Sequence, residues 1–535
     1  MSHVGSSHVL AASSKHAARL ALKTLATLLT GIALAACDSL NLAQVEAGAP
    51  RANPRPNIVI INVDDLGYGD ISSYGAENVR TPNIDRLAEE GAMFTDAHAA
   101  SAVCSPSRYA LITGEYPFRN DFWLPVFATS PLVIDTSKTT IASLLKEEGY
   151  STAAIGKWHL GFGDVDPVDW NGELAPGPLE LGFDYYFGVP VLNSHPPFVY
   201  VENRHVLGLT EDDPLVYGKT AQTREFDEKF DYNVIGGGEA AHALYEDRKV
   251  GTLLTEKAIE WVRARKSEPF FLYFATTNIH HPFTPAPQFI GTSGAGRYGD
   301  FIHELDWMIG ELLAALDEEG LADNTLVLFI SDNGAMFNRG GQTAWEAGHR
   351  PNGDLLGVKF GAWEGGHRVP FIARWPGHIS GGVKSSALVS NVDFMATLAD
   401  LVGHPLNPTE ASDSVSFLPV LLGRESGGRD QLVMSAARRD FLAIRKGKWV
   451  YLDGQGEGGF GGTRVGQHTF AGPAAAAFMG RQNSDIVDGR IRNDAPPGQL
   501  YDLEADPRQT ENLYNERPEI VKMMQEQLRA EKAVD

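Results

Sequence analysis

Four oxygen-bearing side chains stand where two apolar runs end: Asp64 and Asp65 follow NIVIINV, and Asp332 and Asn333 follow TLVLFIS. Asp and Asn often open turns after strands, and either pair alone reads that way. Two such pairs after two buried strands make instead an oxygen-rich site suited to a hard cation, Ca²⁺ or Mg²⁺, which ligand type alone does not separate. A second centre of chemistry is AVCSPSRYALITG, residues 102–114. Cys104 opens a helix there with Arg108 one turn on. A helix N-terminus and a guanidinium both lower a thiol pKa, which would give a thiolate nucleophile. A soft thiolate suits a hard, carboxylate-bound cation poorly. An inert buried cysteine is equally awkward among so many polar neighbours, so neither reading accounts for the whole stretch.

The elements that must position these residues alternate. The unbroken run from Ile58 to Val63 suits a strand buried on both faces, as in a parallel sheet. TPNIDRLAEEGAMF (81–94) reads as a helix, with Thr81 as its N-cap and a glycine stop. TIASLLKEEGY and STAAIGKW, then LLTEKAIEWVRAR and PFFLYFATT, then DFIHELDWMIGELLAALDEEG and TLVLFISDNG, repeat helix followed by strand. The pattern predicts an α/β fold: a large doubly wound, mainly parallel sheet flanked by helices over residues 57–430. From about residue 431, FLAIRKGKWVYLD alternates like exposed strand and PEIVKMMQEQLRAE reads as a closing amphipathic helix. Residues 431–535 are therefore expected to form a smaller α+β subdomain, an antiparallel sheet plus a helix. Within it, 454–498 is rich in Gly, Ala and polar residues and reads either as a long surface loop or as partly disordered chain.

Residues 1–36 carry Lys15, Arg19 and Lys23, no acidic residue, and then LALKTLATLLTGIALAAC, the layout of a secretory signal. LAAC resembles the bacterial lipobox, which implies cleavage before Cys37 and acylation of its sulfur. The chain is then expected to be exported to the periplasm or cell surface and tied to the membrane only through that lipid anchor. An acylated Cys37 cannot bridge to Cys104, so no disulfide framework is expected. Residues 37–56 read as a tether. Losing Lys15, Arg19 and Lys23 takes the formal charge from −23 to −26, which disfavours nucleic acid and anionic membrane as partners. Any anionic substrate must be met by a locally basic pocket.

CSPSRYALITG is similar to the signature of the type I sulfatases, of the alkaline phosphatase superfamily, C-x-P-S-R-x-x-L-x-T-G. The resemblance implies that a formylglycine-generating enzyme oxidises Cys104 to 3-oxoalanine before folding, giving an aldehyde whose hydrate is an oxygen nucleophile matched to a hard metal. Val103 stands where many members carry Leu. NIVIINVDDLGYGD and SDNGA match the metal-binding segments, implying Asp64, Asp65, Asp332, Asn333 and the modified residue 104 as ligands. GKWHLG implies Lys157 as a sulfate ligand and His159 facing the formylglycine; spaced i and i+2, they fall on one side of an extended segment. HHPF implies His280 rather than His281 near the leaving group. VKFGAWEGGHRVP resembles K-x-x-x-x-E-G-G-x-R-x-P and implies Lys359 as the second sulfate-binding lysine, and QLYDLEADPRQTENLYNERPEI resembles the family's C-terminal signature.

The implied mechanism has one hydroxyl of the hydrate attack sulfur, with Asp332 as base and Arg108 stabilising the hydrate. The alcohol leaves with a proton from a protonated His280 or from a water it holds, and His159 then takes the second hydroxyl's proton as sulfate is expelled. The implied substrate is a sulfated polysaccharide or oligosaccharide, and the implied cofactor Ca²⁺, with Mg²⁺ an alternative. A small aryl sulfate, a phosphodiester or phosphonate monoester, and binding of sulfated glycan without turnover are the competing readings. Trp123, His195, Trp363 and His367 could line a pocket, but no motif selects them, and packing is the expectation.

Overall fold

The computed structural model describes residues 55–219, 234–425, 428–460 and 470–533. The signal segment, Cys37 and all but two residues of the tether lie outside them. Among the described residues no helix is long and apolar enough to cross a membrane.

Five parallel strands form the centre of a ten-stranded sheet: β1 (Asn57–Val63), β2 (Ser151–Lys157), β3 (Tyr185–Val189), β4 (Phe270–Ala275) and β5 (Thr325–Ser331). Their spatial order is β5-β1-β4-β2-β3. Val59, for example, lies between Val327 of β5 and Leu272 of β4. Burial on both faces explains the uninterrupted apolar runs. Ile58, Ile60, Phe271 and Leu328 face one core, which the helices Ile141–Glu147 and Phe394–Val402 help to cover. Val59, Ile61, Leu272 and Phe329 face the other, against the helices Val250–Ala264 and Gly296–Glu318. Antiparallel strands extend the sheet on both sides, so it is mixed, though mainly parallel.

The helix expected over 81–94 ends at Glu89, and Ala92–Phe94 is instead a strand paired antiparallel to Phe371–Arg374. Gly91 makes the switch possible: a Cβ there would lie 2.3 Å from the carbonyl oxygen of Ala373. Thr81 does not cap that helix with its side chain.

The C-terminal part contains a four-stranded antiparallel sheet, Gln431–Ser435, Leu442–Lys446, Trp449–Leu452 and Gln499–Asp502. Helix Pro518–Lys532 lays Val521, Met524 and Leu528 on it. The two strands within FLAIRKGKWVYLD are mostly buried, not exposed as their alternation suggested, because the other face of the sheet packs on Ala110, Tyr116, Trp123 and Trp363. Within 454–498 the described residues form a helix, Gly472–Phe478, and a short hairpin, Ile486–Val487 with Arg490–Ile491, so this stretch is not the plain loop expected.

Candidate active site

The carboxyl ends of β1, β2 and β5, with the loop after β4, converge as ligand sites do in open parallel sheets. The ladder continues past the strands to hold them: Asp64 N donates to Asn278 O (3.1 Å), Ile279 N to Asp64 O (2.6 Å), and Asp332 N to Val63 O (3.0 Å). Cys104 enters on helix α1 (Cys104–Thr113), every residue of which is buried. Gly114 ends α1 at φ +70°, where a Cβ would collide with Ala411 and Met395. That is the structural reason for the T-G at the end of the motif.

Burial of so many charges demands pairing. Lys157 Nζ donates to both carboxylate oxygens of Asp64 (2.8 and 2.7 Å), and Lys359 Nζ pairs with Asp65 Oδ1. Arg108 grips Asp332 Oδ2 through Nε and a terminal nitrogen (2.9 and 2.7 Å), and that same terminal nitrogen lies 3.6 Å from Asp64 Oδ1. Three carboxylates thus meet three cations, and the cluster is neutral by itself. Two of these cations, Lys359 and Arg108, are firmly charged: despite burial, Asp65 and the other carboxylates raise the Lys359 pKa, and Asp332, Tyr273 and Asp64 raise that of Arg108.

The donor set fits a hard divalent cation. Ligand atoms of Asp64, Cys104 and Asp332 lie within 4.8 Å of one another. Asp65 Oδ2 and Asn333 Oδ1 are buried with no hydrogen-bond partner among the described residues, although Asn333 Nδ2 donates to Asp65 Oδ1 (2.9 Å). Oxygen atoms orphaned in this way are what a hard ion satisfies.

Cys104 lies at a cavity of about 410 Å³, which His159, His195, His280, His281, Lys359 and Phe360 also line. The expectation of a depressed thiol pKa is overturned: burial pushes it up, against the smaller opposing pull of Lys157 and Lys359. Desolvation outweighs the helix terminus and Arg108, whose guanidinium is spent on Asp332. A resting thiolate is therefore not the nucleophile this site provides.

His159 Nε2 bonds the carbonyl of Val126 (3.0 Å), so it carries the proton, and buried Nδ1 is left as a lone pair without a partner among the described residues. His280 Nδ1 bonds His281 O (2.7 Å), which leaves Nε2 as the lone pair, 3.8 Å from Asp65 Oδ2. Burial lowers the pKa of both, helped by Lys157 and Lys359. The protonated His280 implied by the sequence resemblance is thus replaced, before substrate enters, by a neutral ring. Nor do Lys157 and His159 share an extended segment: β2 stops at Lys157, and His159 sits in the left-handed region at φ +57°. Asp65 (+62°) and Phe360 (+80°) do the same. Such strain in non-glycine residues gathers where function fixes the backbone.

Sequence reasoning missed His195, expected to be packing and in fact lining the cavity, where burial and the two lysines lower its pKa to about 4. His281, set aside in favour of His280, lines the cavity too. Neither carries a motif that could have marked it; only the fold brings them beside Cys104. Trp123 and Trp363 are core residues as expected, and His367 is buried beside His98.

Residues 56–404 match the family model described as Sulfatase. An N-acetylgalactosamine-6-O-sulfatase of Bacteroides thetaiotaomicron is 38% identical over 530 residues, covering 94% of this chain and 98% of the relative. The human N-acetylgalactosamine-6-sulfatase is 35% identical over 384 residues, 70% of this chain and 67% of its own. A solved structure reported under the metabolism of multiple glycosaminoglycans by Bacteroides thetaiotaomicron is 37% identical and aligns with a TM-score of 0.78, over 90% of this chain and all of the other. With sequence, fold and a buried carboxylate–lysine–cysteine centre in agreement, the chain belongs to the sulfatase family and is a hydrolase of sulfuric esters.

Proposed function

We propose that this chain removes sulfate from a sulfated glycan, with N-acetylgalactosamine 6-sulfate as the residue to test first, through a 3-oxoalanine made from Cys104 by a formylglycine-generating enzyme. The observation that carries the reading is the position of Cys104: a buried thiol with a raised pKa, at the cavity, within reach of Asp64 and Asp332. An aldehyde hydrate at that position supplies what the thiol does not, an oxygen nucleophile toward sulfur.

Asp64, Asp65, Asp332 and Asn333 would hold a hard divalent cation, Ca²⁺ or Mg²⁺, whose charge would polarise that nucleophile and offset the anionic ester. With the carboxylates so engaged, Lys157 and Lys359 are released to hold the sulfuryl oxygens, where charge builds in the transition state. Arg108 stays on Asp332 and fixes its orientation. An incoming anion raises the basicity of His280, whose Nε2 can then carry a proton to the departing alcohol. His159 Nδ1, a lone pair with no other partner among the described residues, is the acceptor for the proton released when sulfate is freed. Leu192, Phe360 and Phe460 give the cavity an apolar wall beside Cys104. The signal layout and Cys37 support export and lipid anchoring as part of the same reading.

The test is sulfate release from the 6-sulfate and 4-sulfate of N-acetylgalactosamine, beside an aryl phosphodiester, using protein made with a formylglycine-generating partner. A mass spectrum of the tryptic peptide ending at Arg108 accompanies it. Turnover of the 6-sulfate with –CHO in place of –CH₂SH is the expected result. An intact thiol in fully active protein overturns the nucleophile, and faster phosphodiester cleavage overturns the substrate class.

A further inference from the structure

His98 and His367 come from segments 269 residues apart. Backbone bonds join the two segments: Ala99 N donates to His367 O (2.7 Å), and Val369 N to Ala97 O (2.9 Å). The rings meet with Nδ1 3.0 Å from Nδ1. Their outer nitrogens decide where the protons are. His98 Nε2 lies 3.0 Å from Asp96 Oδ1, and His367 Nε2 lies 3.2 Å from the carbonyl oxygen of Ala362. A carboxylate and a carbonyl only accept, so each Nε2 carries the hydrogen. With both Nε2 atoms so engaged, the two Nδ1 atoms face each other across 3.0 Å, an arrangement that repels unless a proton or a cation lies between them.

A third buried residue lies beside them. Glu364 Oε1 is buried without a hydrogen-bond partner among the described residues, and the ligand atoms of His98, Glu364 and His367 all lie within 4.8 Å of one another. Each of these three residues is completely shielded from solvent. The other oxygen of Glu364 accepts from Arg368 (3.3 Å), and Arg445 holds Asp96 (3.2 and 3.0 Å).

We propose that His98 Nδ1, His367 Nδ1 and Glu364 Oε1 bind a structural transition-metal ion, zinc by ligand type, in a site separate from the carboxylates around Cys104. Two imidazole nitrogens and one carboxylate oxygen form a common zinc donor set. Ligands about 2.0–2.1 Å from a tetrahedral ion stand roughly 3.3 Å apart, close to the separation seen. Asp96 and the Ala362 carbonyl fix the ring tautomers, as partners behind metal-bound histidines do. The ion would clip the segment leading into α1 and Cys104 to the segment that follows Lys359. Because Arg368 and Arg445 already balance Asp96 and Glu364, the site favours an ion bound through nitrogen donors over Ca²⁺, which needs more anionic oxygens. The competing occupant is a proton, which would make one ring an imidazolium.

The experiment is metal analysis and zinc-edge anomalous diffraction on full-length protein produced in zinc-supplemented medium, since a site this shielded would fill during folding. One zinc per chain is expected, with an anomalous peak between His98 and His367. His367→Gln should lose that zinc while Asp332→Asn keeps it, and growth in zinc-depleted medium should lower the wild-type Tm. If His367→Gln does not fold, the wild-type anomalous map decides alone. Protein grown with zinc, cobalt and copper that holds none of them at these residues overturns the proposal in favour of the shared proton, and leaves the sulfatase reading untouched.

Discussion

The carboxyl ends of the parallel strands and the C-terminal sheet solve opposite problems. Around Cys104, Asp64, Asp65, Asp332, Arg108, Lys157 and Lys359 are all buried, and each charge survives only because another neutralises it. On the C-terminal sheet, Leu432, Ile444, Val450, Leu500 and Met524 fill the interior. Charges such as Lys448 and the pair of Lys532 with Asp453 (3.1 Å) stay toward solvent. Burying ion pairs is weak or negative for stability, whereas burying apolar area is the main favourable term. The first region therefore spends stability on chemistry that the second and the two sheet cores supply. Substitutions in the two regions should separate turnover from folding.

The largest effect is expected at residue 104. Cys104→Ala should lower kcat on the order of 10³-fold or more, roughly 4 kcal/mol of barrier, with Tm almost unchanged. A large fall in Tm would mean that Cys104 belongs to the core as much as to the site. His280→Ala should cost on the order of 10²–10⁴ in kcat by removing proton transfer. The loss should shrink for a substrate whose leaving group needs no proton, such as a nitrophenyl sulfate; an equal loss on both would make His280 a binding residue. On the other side, Met524→Ala should destabilise by about 2–5 kcal/mol in denaturant titrations while kcat of the folded fraction holds.

Glu304 sharpens the comparison, since it is buried behind the loop that carries His280, accepting from Asn278 Nδ2 and Ala286 N (3.3 Å each). Burial pushes its pKa up to about 8, against those two bonds. The folded state then holds the proton more tightly than the unfolded chain. Its contribution is complete below about 4.5 and is lost as pH rises toward 8. Glu304→Gln should flatten that decline in unfolding free energy between pH 5 and 8; an unchanged slope would mean the carboxyl ionises freely. The smallest effect is expected at the surface, where Lys448→Ala should change stability by no more than about 1 kcal/mol.

What was legible in the sequence had a local signature. The run from Ile58 to Val63 announced a doubly covered strand, and Cys104 with Arg108 one turn on announced the start of a helix. What was illegible depended on partners far along the chain. Ala92–Phe94 is a strand only because Phe371–Arg374 lies beside it, and the sheet beginning at Gln431 is buried only because Tyr116 and Trp363 meet it. The thiol pKa was misread for the same reason, since desolvation is a property of the whole fold and Arg108 was already committed to Asp332. His195 has no neighbour in sequence that hints at the cavity.

The left-handed backbone at Asp65, His159 and Phe360 has a consequence for engineering. Each holds a conformation that glycine adopts without cost and that a side chain adopts at about 1–3 kcal/mol. Glycine would relieve that strain, but it would strip buried Lys359 of its carboxylate at Asp65 and open cavities at His159 and Phe360. A library screened for heat tolerance therefore gains nothing from glycine at these three positions, and the strained backbone stays locked to the side chains that build the site.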